Sequence, residues 1–381
     1  IRGFATTWII GIVISFFTAV FLTRLVFENR MNKGKWLNLT FTTGISRNLM
    51  TNTHIGFMNF YKKTFSFVGV IILVAIVSFA VRGLSRSIDF TGGRNYVIAF
   101  ERPVEPEQIR GIIANAFPGT TTSALALGTD HKTIRISTNY KIESNSPTVD
   151  DEAETILYNA LKKGGFVSQP NVESFKNPDI REGGSIISST KVGPSVAKDI
   201  THGAILSVVL ALFAIFIYIL IRFRNMAFSI GSTVALAVDT IIVLGVYSLC
   251  WGWMPFSLEI DQTFIGAILT VIGYSINDKV VVFDRIRENM QLHQKQDFKT
   301  LFNDSINQTL TRTINTSTST LIVLLCIFFL GGESIRSFSF AMSLGVIVGT
   351  LSSIFVAAPI AFLTLGKQKG KRRASEEVVE A

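Results

Sequence analysis

The chain has 381 residues, of which 48% are hydrophobic and only 17% are charged, and its formal net charge is +9. The 31 phenylalanines exclude a disordered chain. The low charge content argues against a water-soluble globular protein, in which about 25% of residues are charged. The two cysteines, Cys250 and Cys326, lie in apolar segments, which excludes a disulfide scaffold and a cysteine-based zinc site. Because the first residue is not Met, we expect the chain to be cut from a longer protein.

Seven apolar segments are long enough, or nearly so, to cross a bilayer core of about 30 Å. They cover residues 7–27, 65–81, 204–221, 227–251, 264–283, 313–330 and 338–365. Basic residues cluster in alternate connecting segments and in the C-terminal tail, so the positive-inside rule places these parts in the cytoplasm. Since topology explains the excess positive charge, we do not expect nucleic acid to bind.

A polar insert, residues 83–201, separates the second span from the third and is therefore predicted to be extracytoplasmic. Its 13 basic and 14 acidic residues nearly cancel, so it is not a basic arm. The pattern predicts a strand at 88–100 interrupted near Gly92, a helix at 105–117, strands at 120–126 and 133–138, a helix at 148–163 and a last strand within 166–187. This order predicts a small ferredoxin-like α+β domain.

The predicted fold class is an α-helical polytopic membrane protein with one ferredoxin-like α+β extracytoplasmic domain. The predicted parts are a membrane helix at 1–28, a basic cytoplasmic linker at 29–64, a membrane helix at 65–82, the extracytoplasmic domain at 83–201, a five-helix membrane bundle at 202–365 and a cytoplasmic tail at 366–381.

Motifs of enzymes and of metal or cofactor sites are missing from the sequence. The four histidines are scattered without ligand spacing, and no phosphate-binding loop or nucleophile–base pair is evident. The acidic run at 150–154 matches the preference of carboxylates for a helix N-terminus. We therefore expect neither an enzyme nor a bound metal or cofactor.

Three ionisable residues, Asp239, Asp278 and Arg312, lie inside or beside apolar spans. Each would cost at least about 2.5–3.5 kcal/mol if it were left bare in lipid, so each must pair, face other helices or line a wet path. At about 1.5 Å per residue, Asp278 and Arg312 lie about 24 and 28 Å from the outer ends of two consecutive antiparallel helices, and Asp239 lies about 18 Å from the outer end of its own. An acid and a base at similar depth suggest a proton relay.

Hydroxyl and amide groups surround the predicted relay. Thr309, Thr313 and Thr316 share a helical face with Arg312, and Asn277 precedes Asp278. Simpler interpretations stay open for the charged groups. Asp278 and Lys279 could extend to the interface, Arg312 could anchor the start of a span, and Asp239 could serve only as a helix–helix hydrogen bond.

Several motifs in this sequence resemble those of the SecD/SecF family of bacterial protein-export membrane proteins. The most specific are Ser87-Ile-Asp-Phe-Thr-Gly-Gly93, Val192-Gly-Pro194, Gly273-Tyr-Ser-Ile-Asn-Asp278, Val280-Val-Val-Phe-Asp-Arg-Ile-Arg-Glu-Asn289 and Asn307-Gln-Thr-Leu-Thr-Arg-Thr313. The resemblance covers residues 56–365 and is to the SecF-like half. Residues 1–28 resemble the last membrane helix of a SecD-like half, which implies a fused SecDF chain of the resistance-nodulation-division superfamily.

The resemblance implies that the protein uses the proton-motive force to assist late translocation or release of precursors at the outer side of the bacterial inner membrane. It implies that Asp278 and Arg312 are the acid and base of a proton pathway, that Asp239 is a further membrane acid of that pathway, and that protons are the coupling ion. The implied partners are the SecD-like half of the same chain, the SecY/SecE/SecG channel, SecA, YajC, unfolded precursor polypeptides and membrane lipids.

Two other functions stay open at this stage. The protein could be a passive scaffold that stabilises the Sec channel, which would not need a titratable Asp278. It could also be a small-molecule exporter of the same superfamily, although the short insert argues against that.

Overall fold

The computed structural model describes residues 2–36, 53–128, 130–144, 147–180, 183–254 and 256–366. The chain forms two compact units, residues 1–55 and residues 56–381, which are taken separately below. Much of the predicted linker, residues 37–52, and almost all of the predicted tail, residues 367–381, lie outside the described residues.

The first unit contains one long helical segment. Helix α1 (Arg2–Phe16) continues through a π-helical turn (Phe17–Leu22) into α2 (Thr23–Asn32). The segment from Ala5 to Asn32 is long and apolar enough to cross a membrane. Its described side chains in the apolar part are exposed on all sides, as expected for a helix that contacts lipid or other membrane helices.

The second unit begins with a short 3₁₀ turn (Phe57–Asn59) and the membrane-spanning helix α3 (Tyr61–Arg82). A one-turn helix, α4 (Ile88–Thr91), follows where the sequence predicted a strand. The strand prediction was wrong here because the Ser87 hydroxyl accepts a hydrogen bond from the Asp89 amide and starts a helical turn. A strand begins only at Gly93, where a Cβ atom would lie 2.7 Å from the Thr138 carbonyl oxygen.

The polar insert folds into a four-stranded antiparallel sheet. Its elements in chain order are β1 (Gly93–Ala99), α5 (Pro106–Ala116), β2 (Thr122–Ala126), β3 (Thr133–Thr138), α6 (Pro147–Lys163), α7 (Val172–Lys176) and β4 (Ser185–Val192). The spatial order is β2-β3-β1-β4, with every pair antiparallel. Buried residues from the strands and from α5 and α6 form one apolar core. The predicted α+β domain is confirmed.

The last strand of the sheet lies later in the chain than the sequence predicted. Helix α7 occupies part of the segment 166–187, and Gly183 and Gly184 adopt φ angles of +81° and +83° before β4 begins. Positive φ angles at two adjacent residues turn the chain out of an extended conformation. Because this turn delays the strand, β4 runs almost directly into the next membrane helix.

The remaining helices form the membrane bundle. They are α8 (Pro194–Phe223), α9 (Met226–Cys250), α10 (Gln262–Leu292), α11 (Phe298–Leu330) and α12 (Glu333–Ser352), which continues through a π-helical segment (Ser353–Ala357) to residue 366. Seven helices in the described residues are long and apolar enough to cross a membrane, which confirms the predicted polytopic fold class.

Helices α10 and α11 extend well beyond their predicted apolar segments, with 31 and 33 residues. At about 1.5 Å per residue each is roughly 45–50 Å long, more than the bilayer core requires. Arg312 consequently lies in the middle of α11 and not in its first turn.

Helix α10 lies at the centre of the bundle and packs against α9, α11 and α12. Small residues allow α12 to come close to it. A Cβ atom on Gly349 would lie 2.5 Å from Ser275 Oγ, and one on Gly345 would overlap the side chain of Val271. This close approach brings hydroxyl groups of α12 next to the charged residues of α10.

Candidate proton-transfer site

Asp278 is held in the bundle by hydroxyl groups from two neighbouring helices. Its side chain on α10 is buried, with 2% of the residue exposed. Oδ2 accepts hydrogen bonds from Ser317 Oγ of α11 at 3.3 Å and from Thr350 Oγ1 of α12 at 3.2 Å, and these two hydroxyl oxygens lie 2.6 Å apart. No described cationic side chain forms an ion pair with this carboxylate.

This environment suits a carboxyl group that changes its protonation state. A hydroxyl group both donates and accepts hydrogen bonds, so Ser317 and Thr350 can bond the ionised carboxylate or the neutral acid by rotating their O–H bonds. A cation paired directly with the carboxylate would instead favour the ionised form strongly. The geometry is therefore that of a site where a proton can be taken up and released.

The next residue on α10, Lys279, is fully buried and lies in a different polar cluster. Its ammonium group donates to Asp239 Oδ2 of α9 at 2.9 Å, to Ser352 Oγ of α12 at 3.0 Å and to Ser275 Oγ. Ser275 Oγ in turn donates to Asp239 Oδ2 at 2.7 Å. Both members of the Lys279–Asp239 pair have 0% side-chain exposure.

The structure contradicts the alternative in which Lys279 extends to the membrane interface. Lys279 follows Asp278 by about 100° around the helix, so it faces α9 rather than α11. Because α10 continues to Leu292, Lys279 also lies well inside the helix, where its ammonium group needs a partner within the bundle. Asp239 supplies that partner, and its Oδ1 atom has no hydrogen-bond partner in the described part of the chain.

Arg312 lies on α11 but forms no ion pair with Asp278. Its side chain is exposed on the surface of this chain, and it forms no ion pair with the described acids. The reason is rotational, since Arg312 precedes Ser317 by five residues, or about 140° around the helix, and Ser317 is the residue that faces Asp278. The structure therefore brings the predicted acid and base onto neighbouring helices without pairing them.

The other predicted polar residues lie near the site but do not hold Asp278. Thr309 and Thr316 donate their hydroxyl groups to carbonyl oxygens of their own helix, at 3.2 Å to Ser305 and 2.9 Å to Arg312. Thr313 is buried and its hydroxyl has no partner among the described residues. Asn277 is exposed on α10.

Sequence reasoning missed two hydroxyl groups on α12 that complete the site. Thr350 binds Asp278, and Ser352 binds Lys279. The signal was present in the run from Gly349 to Ser353, which places several small hydroxyl residues beside a glycine in an otherwise apolar span. Such residues mark close helix contacts in membranes.

The N-terminal end of α10 is hydrogen-bonded to the segment that leads into strand β1. Ile260 exchanges backbone hydrogen bonds with Ser85 and Ser87, at 2.8 and 3.0 Å. The amide of Gln262 donates to Asp89 Oδ2 at 3.4 Å. Asp261 caps α10 by accepting from the Phe264 amide at 2.7 Å, and burial raises the pKa of this carboxyl group. The helix that carries Asp278 is thus bonded directly to the base of the α+β domain.

A cavity of about 90 Å³ separates the open face of the sheet from the outer end of the bundle. Carboxylates of the bundle side reach strand β2 across it. Glu259 Oε2 accepts from Ser123 Oγ at 3.3 Å, and Glu333 Oε2 at the start of α12 accepts from the Ala126 amide at 2.9 Å. Burial raises the pKa of Glu259. Among the described residues, no group of three or more His, Cys, Asp or Glu side chains is arranged to hold a metal ion.

The chain is similar to a family of protein-export membrane proteins. The family described as "Protein export membrane protein SecD/SecF, C-terminal" matches residues 174–367, and the "SecD/SecF GG Motif" matches residues 77–104. The protein translocase subunit SecF of Rhodothermus marinus is 40% identical over 85% of this chain and 98% of its own length. The protein translocase subunit SecDF of Thermus thermophilus is 31% identical over 99% of this chain but only 46% of its own length.

Solved structures show the same similarity. A crystal structure of SecDF from Thermus, described as a translocon-associated membrane protein, superposes with a TM-score of 0.73 at 29% identity over 96% of this chain and 45% of that chain. SecDF in a super-membrane-facing form superposes with a TM-score of 0.68 over 98% of this chain and 46% of that chain. These relatives are named as translocase subunits and not as enzymes, in agreement with the expectation from the sequence. The extent of these matches shows that the chain belongs to the SecD/SecF family of protein-export membrane proteins.

Proposed function

We propose that this chain is the SecF-like part of an accessory subunit of the Sec export machinery that uses the proton-motive force to assist late translocation of precursor proteins. Family membership supports the accessory role in Sec export. The use of protons is supported chiefly by one observation, the buried Asp278 carboxylate bonded to two hydroxyl groups and to no cation among the described residues.

In this proposal Asp278 takes up a proton and releases it during each cycle. The ionised form accepts hydrogen bonds from Ser317 and Thr350, and the neutral form donates one of its own. Burial of an uncompensated charge is costly, so the two forms differ in the bundle geometry that suits them best. A change in the charge of Asp278 would therefore shift the contacts between α10, α11 and α12.

Arg312 is proposed to act with a partner from outside the described residues. Its exposed guanidinium group on a membrane helix requires a neighbour that is polar or negatively charged. We propose that the SecD-like half of the full-length protein covers this face and completes the proton pathway. Asp239 is proposed to serve as the counterion of Lys279, because the pair is fully buried and already hydrogen-bonded.

The finer topology and the other partners belong to the same proposal. The protein would lie in the bacterial inner membrane, with residues 83–201 outside the cytoplasm and the C-terminus inside. It would bind the SecY/SecE/SecG channel, with SecA and YajC as further partners, and would act on unfolded precursor polypeptides at the outer surface. Membrane lipids would surround the bundle, and protons would be its coupling ion without any bound cofactor.

The test replaces Asp278 with Asn in the full-length protein and measures precursor export in cells with and without an uncoupler. Asp284→Asn is a matched control, since Asp284 lies on the same helix with its side chain 48% exposed and paired to Arg287. We expect Asp278→Asn to reduce export to the level of a deletion strain and to remove the part of export that depends on this protein and responds to the uncoupler. Asp284→Asn should leave export nearly unchanged.

Normal export by the Asp278→Asn protein would refute the proton-driven mechanism. The passive scaffold would then be the better interpretation, because a scaffold needs the folded bundle but not a titratable group at this position. Comparable amounts of each variant in the membrane, measured by immunoblotting, are required for the comparison, because loss of the protein would reduce export in either case.

A further inference from the structure

The two edge strands of the extracytoplasmic sheet differ in their contacts with the rest of the molecule. Strand β2 forms one edge and β4 forms the other. The β2 edge is occupied in part, because the Ala126 amide points away from β3 and donates to Glu333 of the membrane bundle. The outer side of β4 is paired with no strand in the described part of the chain.

Hydrogen-bond alternation shows which residues of β4 face outward. The Leu127 amide donates to the Thr133 carbonyl and the Phe100 amide donates to the Lys132 carbonyl. In an antiparallel sheet the backbone groups of successive residues point to opposite sides. The Phe100–Lys132 bond shows that even-numbered residues of β1 direct their backbone groups toward β3. The backbone groups of odd-numbered residues of β1 therefore point toward β4, and those of their partners Ser188 and Thr190 point toward β1. The N–H and C=O groups of Ser189 and Lys191 point outward.

The same part of β4 is uncovered on both faces. Residues 188–191 are all exposed, whereas Ser185 and Ile186 at the start of the strand are buried. The irregularity in the pairing with β1 lies between Val97 and Ile98, before this open part. Lys191, which would otherwise protect an edge with its charge, directs its ammonium group toward Asp150 at 3.3 Å. No strand in the described part of the chain therefore covers the outer side of residues 188–191.

We propose that the outer edge of β4, residues 188–191, binds an extended segment of polypeptide by adding it to the sheet as a fifth strand. The inference rests on the proposed function, since the polypeptide is the precursor on which the protein acts. Recognition by strand addition depends on backbone hydrogen bonds that any sequence except proline can make. The exposed side chains here are mainly Ser and Thr, which impose little selection, and this suits a partner whose sequence varies.

The position of the edge also favours a chain that leaves the membrane. Strand β4 ends at Val192, and α8 begins at Pro194, so the open edge finishes where the chain enters the membrane bundle. A segment bound to this edge would lie next to the extracytoplasmic surface of the inner membrane. Movement of the domain relative to the bundle would carry the bound segment with it.

The experiment places a photo-crosslinking amino acid at Thr190 of the full-length protein and uses a secreted precursor stalled by a folded C-terminal reporter. Thr190 is exposed, and its own backbone groups face β1, so the probe leaves the outward groups intact. A probe at Gln108, exposed on α5 away from the edge, is the control position. We expect the precursor to crosslink at Thr190 and not at Gln108.

Ser189→Pro tests the backbone contact, and Ser189→Ala is its matched control. Both lose the hydroxyl group, but only proline removes the outward N–H, and proline is tolerated at the solvent side of an edge strand. Loss of one hydrogen bond should lower crosslinking at Thr190 by about fivefold or more. Ser189→Ala should keep the crosslinking yield.

Crosslinking to another part of the full-length protein instead of the precursor, or equal yields with Ser189→Pro and Ser189→Ala, would overturn the proposal. Export by the Asp278→Asn protein is measured in parallel. This measurement distinguishes failure of the proposed binding edge from failure of the proposed function. If Asp278→Asn abolishes export while Ser189→Pro changes neither crosslinking nor export, proton coupling stands and the edge is not the binding site. If neither substitution matters, the proposed function fails as well.

Discussion

The buried pair of Lys279 and Asp239 allows a sharp test of how the bundle is held together. Neutralising one member leaves the other charged in an apolar interior. In Asp239→Asn the ammonium group would keep only the hydroxyl groups of Ser275 and Ser352. In Lys279→Met the carboxylate of Asp239 would keep only Ser275. Removing one partner of a buried pair costs about 3–5 kcal/mol.

That cost is large compared with the total stability of a folded protein, which is about 5–15 kcal/mol. Since about 1 kcal/mol corresponds to roughly 2–4 °C for a domain of this kind, each single substitution should lower the Tm in detergent by about 6–20 °C. Replacing both residues by apolar ones, Asp239→Leu with Lys279→Met, removes both charges together. Such replacements are often neutral or stabilising, so the double variant should recover most of the loss.

The assay is thermal unfolding of the purified full-length variants, followed by the fraction that stays monodisperse after heating, together with export in cells. If the pair is structural, export should fall in proportion to the amount of folded protein and should recover in the double variant. The reasoning is refuted if Asp239→Asn abolishes export while its Tm stays within about 2 °C of the wild type. That result would place Asp239 on the proton pathway instead.

Three further substitutions test other contacts. Gly349→Ala would place a Cβ atom 2.5 Å from Ser275 Oγ, and overpacking of this kind should destabilise the bundle by about 1–3 kcal/mol in the same thermal assay. Partial burial favours neutral Asp150, but hydrogen bonds from Arg94 and Lys191 outweigh it and lower the pKa of Asp150. Its contribution to stability is complete above an unfolded pKa of about 3.9 and is lost as the pH falls through the lower folded pKa, so Asp150→Asn should flatten the acid limb of the Tm profile. Glu333→Ala should leave the amount of protein unchanged but reduce export, because it frees the edge of β2 from α12.

The α+β domain could be predicted closely from the sequence because the signals for its helices and strands are local. Alternating apolar residues mark β3, and Pro106 near the start of α5 marks a helix N-terminus. The order of strands and helices then limits the topology to very few arrangements. The error at residues 88–91 has a local cause as well, since the Ser87 hydroxyl caps a helical turn that hydrophobicity does not show.

The candidate site could be predicted only in part because it depends on helix rotation and packing. The sequence identified Asp278 as a buried acid, but a difference of about 100° between adjacent residues decides that Lys279 meets Asp239 while Asp278 meets Thr350. Neither partner is near in sequence, and after Arg336 helix α12 carries no charged residue that would indicate its role. The expected pairing with Arg312 assumed that equal depth implies direct contact, whereas Arg312 lies about 140° around α11 from Ser317, the residue that bonds Asp278.

The two clusters on α10 suggest which helices move in the proposed cycle. The ion pair of Lys279 with Asp239 ties α10 to α9. The hydroxyl groups around Asp278 belong to α11 and α12, so in the proposed cycle these are the helices whose contacts with α10 would change when a proton binds. Thr350 lies 17 residues, or about 26 Å, from Glu333 at the outer end of the same helix. Because Glu333 holds strand β2, α12 would in the proposed cycle connect the charge of Asp278 to this strand, in addition to the direct bonds between α10 and residues 85–89.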